Sequence, residues 1–554
     1  MPKILVIGCG LAGLAASVRG AELGAEVVLV APSPSERSQS VMAMGGINGA
    51  LNTKGQNDSV KEHYIDTIKG GNGLNNPKAV AKLTEDAPAI LEWLGKIGTS
   101  FTRDENGNID LRYFGGQKKM RTAYAGARTG KQLVTALTSL CRKYEYEGKI
   151  TRYTGWRFLS LMLTSNKECA GAIFLEENTN KIKSFKADSV IVATGGMNLV
   201  YGKTTGSLHS DGSATGLLFM QGIELGNPEM VQFHPTTINT PVKRMLITEA
   251  ARGQGGRLYV TKDGKPWYFM EEWYPEAGAL MPRDVVSRSI YKVCNELHMG
   301  IDGKNQVYLD ISKLPRDVIE VKLDEVVQVC KKYLNLDPAI EPIPVYPGVH
   351  YFMGGIHTDE EHRTNIERLF AAGECSEQYH GANRLGGNST LGAIHGGLVA
   401  AENASKVSSV SKEEQLQAER KYLKIEQELY DNWLPHKDKG KIYSWKLANE
   451  VADIMNQAMG IYRNERDLTD AKEKLQKLYS MCKDVNSRGN YYDFRRMQPL
   501  VLEAEAMVEG ALARKESRGA HQRVEYPDVD ELNFKKRTCI SFQENKFTIL
   551  FKDL

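Results

Sequence analysis

"KILVIGCGLAGLAASVRGAELGAEVVLVA" (residues 3–31) reads as a strand, a tight turn, a helix and a second strand. The turn spells G-x-G-x-x-G through Gly8, Gly10 and Gly13, with Leu11 and Ala12 between the last two. Gly8 permits the sharp bend and Gly10 lets the backbone approach a pyrophosphate. Gly13 lets helix and strand pack closely, and the helix N-terminus faces the anion. The motif draws its force from its place between two apolar strands. An acid that holds a ribose usually ends the second strand. Here the chain reads Ala31-Pro32, so that contact must come from elsewhere, which tells against simple NAD binding.

Two more strand ends carry the same signature. "DSVIVATGG" (188–196) is a buried strand ending in Ala193, Thr194 and Gly195. "LFAAGE" (369–374) runs into a small-residue turn with an acid, Glu374. Three such ends, spread over much of the chain, predict one long ligand held by a discontinuous domain. FAD has that length.

The chain has 554 residues, 41% hydrophobic and 25% charged, with a formal net charge of +3. That is enough for two or three domains of ordinary globular composition. No basic block stands out, so a nucleic-acid partner is not expected. No apolar run approaches the roughly 20 residues that cross a bilayer. The N-terminus enters a strand with no signal-peptide pattern, which predicts a cytoplasmic protein. Cys9, Cys141, Cys169, Cys294, Cys330, Cys375, Cys482 and Cys539 are scattered, and none forms a C-x-x-C pair. The expectation is single buried thiols and no metal site within this chain.

Further along lie "VQFHPTT" (231–237), "ITEAARGQGG" (247–256), "MPRDVVSR" (281–288), "GVHYFMGGI" (348–356), "HGANRLGGNST" (380–390) and "ARKESRGAHQR" (513–523). This ordered set resembles the flavoprotein subunit of succinate dehydrogenase and fumarate reductase, from the N-terminus to about Asn533. L-aspartate oxidase is a close relative that shares much of the set. The resemblance implies an α/β fold: a Rossmann-like FAD-binding domain, residues 1–235 and 346–410, interrupted by an α+β capping domain, 236–345. A helical domain (411–525) and a C-terminal arm (526–554) follow.

The residue types suit a small dicarboxylate with a central double bond. Arg384 can form a bidentate fork, His234 and His350 can donate from imidazole, and Thr248 from its hydroxyl. The resemblance implies that Arg283 is the proton donor and that Glu249 and Arg252 relay protons to solvent. An arginine is a poor acid in water, so a neighbouring cation and a dry site must bias it. "FGGQKKMRTAYAGARTG" (114–130) also matches, with Phe114 stacking near the substrate. The implied partners are fumarate or succinate, an iron–sulfur electron-transfer subunit, and through it a membrane anchor or other donor subunit. That arrangement would place the chain at the inner face of the membrane.

The family's flavin-facing loop matches "RSQSVMAMGG" (37–46). Ser38, Ser40, Gly45 and Gly46 suit that role, and Asp211, Ser389 and Thr390 complete the implied FAD set. Most members carry a histidine where Gln39 stands, bonded covalently to the flavin 8α carbon. Gln39 cannot make that bond, so the expectation is FAD held by contacts alone and a tilt toward fumarate reduction. Met44 replaces the usual Glu or Gln before Gly-Gly.

Ser411 and Glu414 form a capping box. Tyr422, Ile425, Leu429 and Trp433 then fall at helical spacing, as do Leu468, Ala471, Leu475 and Leu478, and the run from Leu500 to Leu512. The tail predicts an arm with one or two strands. Three functions compete: the catalytic part of a fumarate reductase, an L-aspartate oxidase or reductase of another enoate, and a flavin-fold assembly protein with no turnover.

Overall fold

The computed structural model describes residues 1–126 and 128–554. Its centre is a parallel five-stranded sheet. β1 (Lys3–Ile7), α1 (Leu11–Glu22) and β2 (Glu26–Ala31) are the predicted opening unit. The order across the sheet is Leu369–Ala371, Ser189–Val192, β1, β2 and Ile150–Thr154. The three strands whose ends were singled out therefore lie side by side, and their parallel sense brings the three turns to one edge. Burial on both faces explains why these strands read as unbroken apolar runs.

The first turn leaves no room for side chains. Gly8 has φ +107°, and a Cβ there would lie 2.2 Å from Ala193 O. A Cβ on Gly13 would lie 1.8 Å from Gly8 O. α1 also packs on the helix Asn388–Ala404, whose Gly397 would, as alanine, meet Ala12 O at 2.3 Å.

The cap is built on a six-stranded antiparallel sheet. Two of its strands, Val231–Asn239 and Ile343–Phe352, run across the predicted boundaries at 236 and 345 and pair with each other. They are the two links between cap and FAD-binding domain, and they carry His234 and His350. Their ladder is broken by register shifts after Gln232 and after His234, and such bulges re-aim side chains.

The helices Ser444–Ala458, Glu465–Met481 and Met497–Ala513 pack around one core with Leu468, Ala471, Leu475 and Leu478 inside it. The helix Lys412–Trp433 departs from the expected bundle. It lies on the strands Trp156–Leu163 and Cys169–Glu176 through Ala418, Tyr422 and Trp433. Ile425 and Leu429 of the predicted stripe are exposed. The buried position there is Glu426, which accepts from Arg495 Nη2 at 3.0 Å. Ser411 caps this helix as expected, accepting from Glu414 N at 3.2 Å. The tail forms two strands, Arg537–Gln543 and Lys546–Lys552, that extend a sheet containing Leu225–Gly226, Gly355–His357 and Ser376–Glu377. Hydrogen bonds thus tie the arm to its own chain.

Candidate active site

A cavity runs from the glycine-rich edge of the parallel sheet to the cap. Gly8, Gly10, Leu11 and Ala12 line it from the first turn, Ala193, Thr194 and Gly195 from the second, and Glu374 from the third. Gly13 stands behind the wall as a packing residue. Ser38, Gln39, Ser40, Gly45 and Gly46 form a side of the same cavity, with Ser389 and Thr390 at the start of the helix Asn388–Ala404. Asp211 lies at the cavity wall near Arg157, its Oδ2 3.1 Å from Arg496 Nη1.

The wall fits an FAD. Ser40 Oγ accepts from Leu11 N at 3.1 Å, which leaves its own proton free to donate. Gln39 Oε1 and Thr194 Oγ1 are buried with no hydrogen-bond partner, so a bound group must satisfy them. Glu374 Oε1 accepts from Phe352 N at 3.1 Å, and burial pushes its carboxyl up to about 7. Arg112 donates from Nε to Gly45 O at 3.1 Å and from Nη2 to Met44 O at 3.0 Å, which pins the loop from behind.

At the cap end the cavity meets a cluster of charge. Glu249 Oε2 accepts from Arg283 Nε at 2.9 Å and Nη2 at 2.6 Å. Its Oε1 accepts from Arg252 Nη2 at 3.0 Å and from Gly115 N at 3.1 Å. Burial pushes the Glu249 carboxyl up, but the two guanidinium charges outweigh it and hold it below the usual range. Arg283 and Glu249 line the cavity. Arg252 lies behind them, buried, its Nη1 donating to Ala279 O at 2.5 Å. Side chains are excluded around this cluster: a Cβ on Gly386 would lie 2.8 Å from both Glu249 Oε2 and Phe114, and one on Gly115 would lie 2.6 Å from Glu249 Oε1.

His234, Thr248, His350, Arg384 and Phe114 share this end of the cavity. The two imidazoles are edge to face, with centroids 5.1 Å apart. Burial, with the charge of Arg283, holds both well below the ordinary histidine value, so both are neutral. His234 Nδ1 lies 3.3 Å from both Thr236 N and Thr236 O, and Nε2 has no partner. His350 Nδ1 lies 2.7 Å from Thr205 Oγ1. Arg384 stacks on Tyr351 at 4.2 Å, and its Nε is unpartnered. Burial first, and then the charge of Arg283, brings its guanidinium down to about 9.

Gln232 is the residue that sequence reasoning passed over. Its Oε1 accepts from Arg283 Nη1 at 3.0 Å and Arg384 Nη2 at 3.1 Å. Its Nε2 donates to Asn383 Oδ1 and to Arg384 O, both at 2.8 Å. One amide thus sets the spacing of Arg283 and Arg384. The available signal was its place two residues before His234 on a strand, where alternate residues share a face.

A parallel sheet with three glycine-rich ends, a cavity closed by a cap and a buried arginine–glutamate chain at the lid define an FAD-dependent oxidoreductase. A family profile described as "FAD binding domain" matches residues 3–390, and one described as "Fumarate reductase flavoprotein C-term" matches 448–554. The succinate dehydrogenase flavoprotein subunit of Bacillus subtilis is 40% identical, over 97% of this chain and 93% of that one. The fumarate reductase flavoprotein subunit of Mycobacterium tuberculosis is 35% identical, over 97% of this chain and 94% of that one. A solved quinol-fumarate reductase with menaquinol molecules superposes with a TM-score of 0.91 at 29% identity, covering 100% of this chain and 98% of that one. The chain belongs to the family of succinate dehydrogenase and fumarate reductase flavoproteins, and its cofactor is FAD.

Proposed function

We propose that the chain is the catalytic subunit of a fumarate reductase in which FAD is held by contacts alone and Arg283 protonates the substrate. The observation that carries this reading is the chain Arg283–Glu249–Arg252, with Arg283 and Glu249 at the cavity wall and Arg252 buried behind them. FAD, when bound, supplies a hydride to one olefinic carbon.

The side chains do the rest. Arg384, with its free Nε, and His234, with its unpartnered Nε2, bind the substrate carboxylates, and Thr248 and His350 complete the clamp. Withdrawal of charge onto these donors makes the far carbon electrophilic. Phe114 and the glycines beside it keep water out. Three of the five Arg283 N–H groups are held by Glu249 and Gln232, so the guanidinium is fixed and a remaining N–H can deliver its proton to carbon. Loss of that proton removes one of the two cations that keep Glu249 ionised. The carboxyl then takes up a proton and returns it to Arg283. The second cation, Arg252, is 1% exposed and biases the pair while it remains charged.

Gln39 bears on direction. A histidyl bond at the 8α position raises flavin potential, and a glutamine cannot form it, so this flavin is the stronger reductant and fumarate reduction is favoured. Electrons come from an iron–sulfur partner, a reading supported by relatives named as flavoprotein subunits. No helix among the described residues is long and apolar enough to cross a membrane.

Arg283→Ala should lower fumarate reduction by a reduced dye at least about 10³-fold while FAD stays bound. Retained reduction would overturn the role of Arg283. Peroxide formation with aspartate in the unaltered protein would overturn the substrate. Acid denaturation should release all the flavin into solution; colour left on the chain would refute contact-only binding.

A further inference from the structure

In the sheet that the C-terminal hairpin extends, four adjacent strands bring together residues that are distant in sequence. His357 stands opposite Glu377 in a parallel pair, and its N donates to Glu224 O at 2.9 Å. Cys539 stands opposite Gly226. Cross-strand neighbours and alternate residues share a face, so Glu377, His357, Glu224 and Cys539 form a row. Gly226 contributes no side chain to it, which leaves Cys539 and Glu224 as diagonal neighbours.

We propose that Glu224, His357 and Cys539 form a site for one divalent ion of the zinc class, which clips the C-terminal hairpin to the FAD-binding domain. One ligand atom from each lies within 4.8 Å of the others, and His357 Nε2 is 3.8 Å from Glu224 Oε1. Tetrahedral zinc bonds of about 2.0–2.3 Å set ligand atoms roughly 3.5 Å apart, so small side-chain rotations complete the set.

A second observation points the same way. His357 Nδ1 makes no hydrogen bond within the chain and faces Glu377 Oε2 at 3.6 Å. Glu377 is 1% exposed and is anchored by Arg537 Nε at 2.9 Å and Asn227 Nδ2 at 3.0 Å. A small ring rotation on metal binding would bring Nδ1 onto Glu377, and a carboxylate hydrogen-bonded to one histidine nitrogen holds the proton there and frees the other for a metal. Here that other nitrogen, Nε2, points toward Glu224.

Lys552 Nζ now holds the cation's place, 2.7 Å from both oxygens of Glu224. Its side chain is 43% exposed and can swing into solvent. On binding, the ion replaces this ammonium and water fills the fourth position. The Cys539 thiol releases its proton to solvent and forms the metal–sulfur bond. Without an ion, burial and the neighbouring carboxylates Glu224 and Glu377 hold that thiol well above its usual value. Thiolate with imidazole selects zinc-class ions over magnesium or calcium.

The full-length FAD-bound chain, stripped with chelator, is titrated with cobalt(II) alone and then with zinc(II). The expected result is one equivalent per chain, a thiolate-to-cobalt charge-transfer band, visible bands beyond the flavin absorption, and displacement by zinc. Cys539→Ser should abolish the charge-transfer band, and Glu224→Gln should weaken zinc binding at least tenfold. Lys552→Met, at an exposed position, should tighten it, which keeps a readout if the cysteine variant fails to fold. No stoichiometric binding, bands unchanged in Cys539→Ser, or affinity unchanged in Lys552→Met would each overturn the site.

Discussion

Arg514 and Arg384 are both buried among polar groups, and they differ in how many of their donors are used. Arg514 gives Nε to Glu229 at 2.7 Å, Nη1 to Glu516 and Phe534 O, and Nη2 to Lys536 O and Thr538 Oγ1. Every nitrogen is engaged. Arg518 closes the knot on Glu516 at 2.8 Å. Arg384 gives one hydrogen bond, to Gln232, and otherwise stacks on Tyr351 with Nε free. A buried cation is costly unless it is paired, so the saturated Arg514 is a tie inside the fold, while Arg384 lines the cavity with a donor still open. Both lie in motifs of the same family set, "ARKESRGAHQR" and "HGANRLGGNST", and an open donor together with a place in the cavity wall separates Arg384 from Arg514.

Breaking the knot should give the larger effect. Arg514→Met leaves Glu229 buried without its cation and Glu516 with Arg518 alone, and should cost about 3–5 kcal/mol of stability. Denaturant unfolding reads that loss, while kcat/KM of the folded fraction should stay unchanged. A stable but inactive variant would erase the distinction between the two clusters. Arg384→Met should do the reverse. It removes an uncompensated cation, so stability should hold or rise, while kcat/KM for fumarate falls about 10²–10³-fold.

The smallest effect sharpens the comparison through pH. The Arg384 guanidinium lies at about 9 in the free protein, so kcat/KM should fall about tenfold per unit above that pH. The limb in kcat should sit higher, because a bound carboxylate raises the guanidinium again. The sign for stability is opposite to that for binding. Between about 9 and the ordinary arginine value the unfolded chain binds more protons, so this group's contribution to stability rises with pH. No break near 6.5 is expected from His234 or His350, since both stay neutral.

Much of the fold was legible in the chain. The three strand ends at residues 3–31, 188–196 and 369–374 form adjacent strands, and the cap lies between them in sequence as expected. The stripe Tyr422–Ile425–Leu429–Trp433 was misread in part. Periodicity shows that a helix has an apolar side, but the neighbouring sheet covers Ala418 and Trp433 and leaves Ile425 and Leu429 in solvent. Arg283, Glu249 and Arg252 were placed together by resemblance, while Gln232 was overlooked because its role lies in bridging two arginines from separate segments.

The amino-acid order alone determined the glycine-rich first turn, the glutamine at position 39 and the helical periods, because these act over a few residues of contiguous backbone. Tertiary structure decided which buried donors stay open, how one amide spaces Arg283 and Arg384, and that Cys539 meets Glu224 and His357. Those outcomes depend on strand register and on distances between remote segments, which are set only when the whole chain closes its hydrogen bonds.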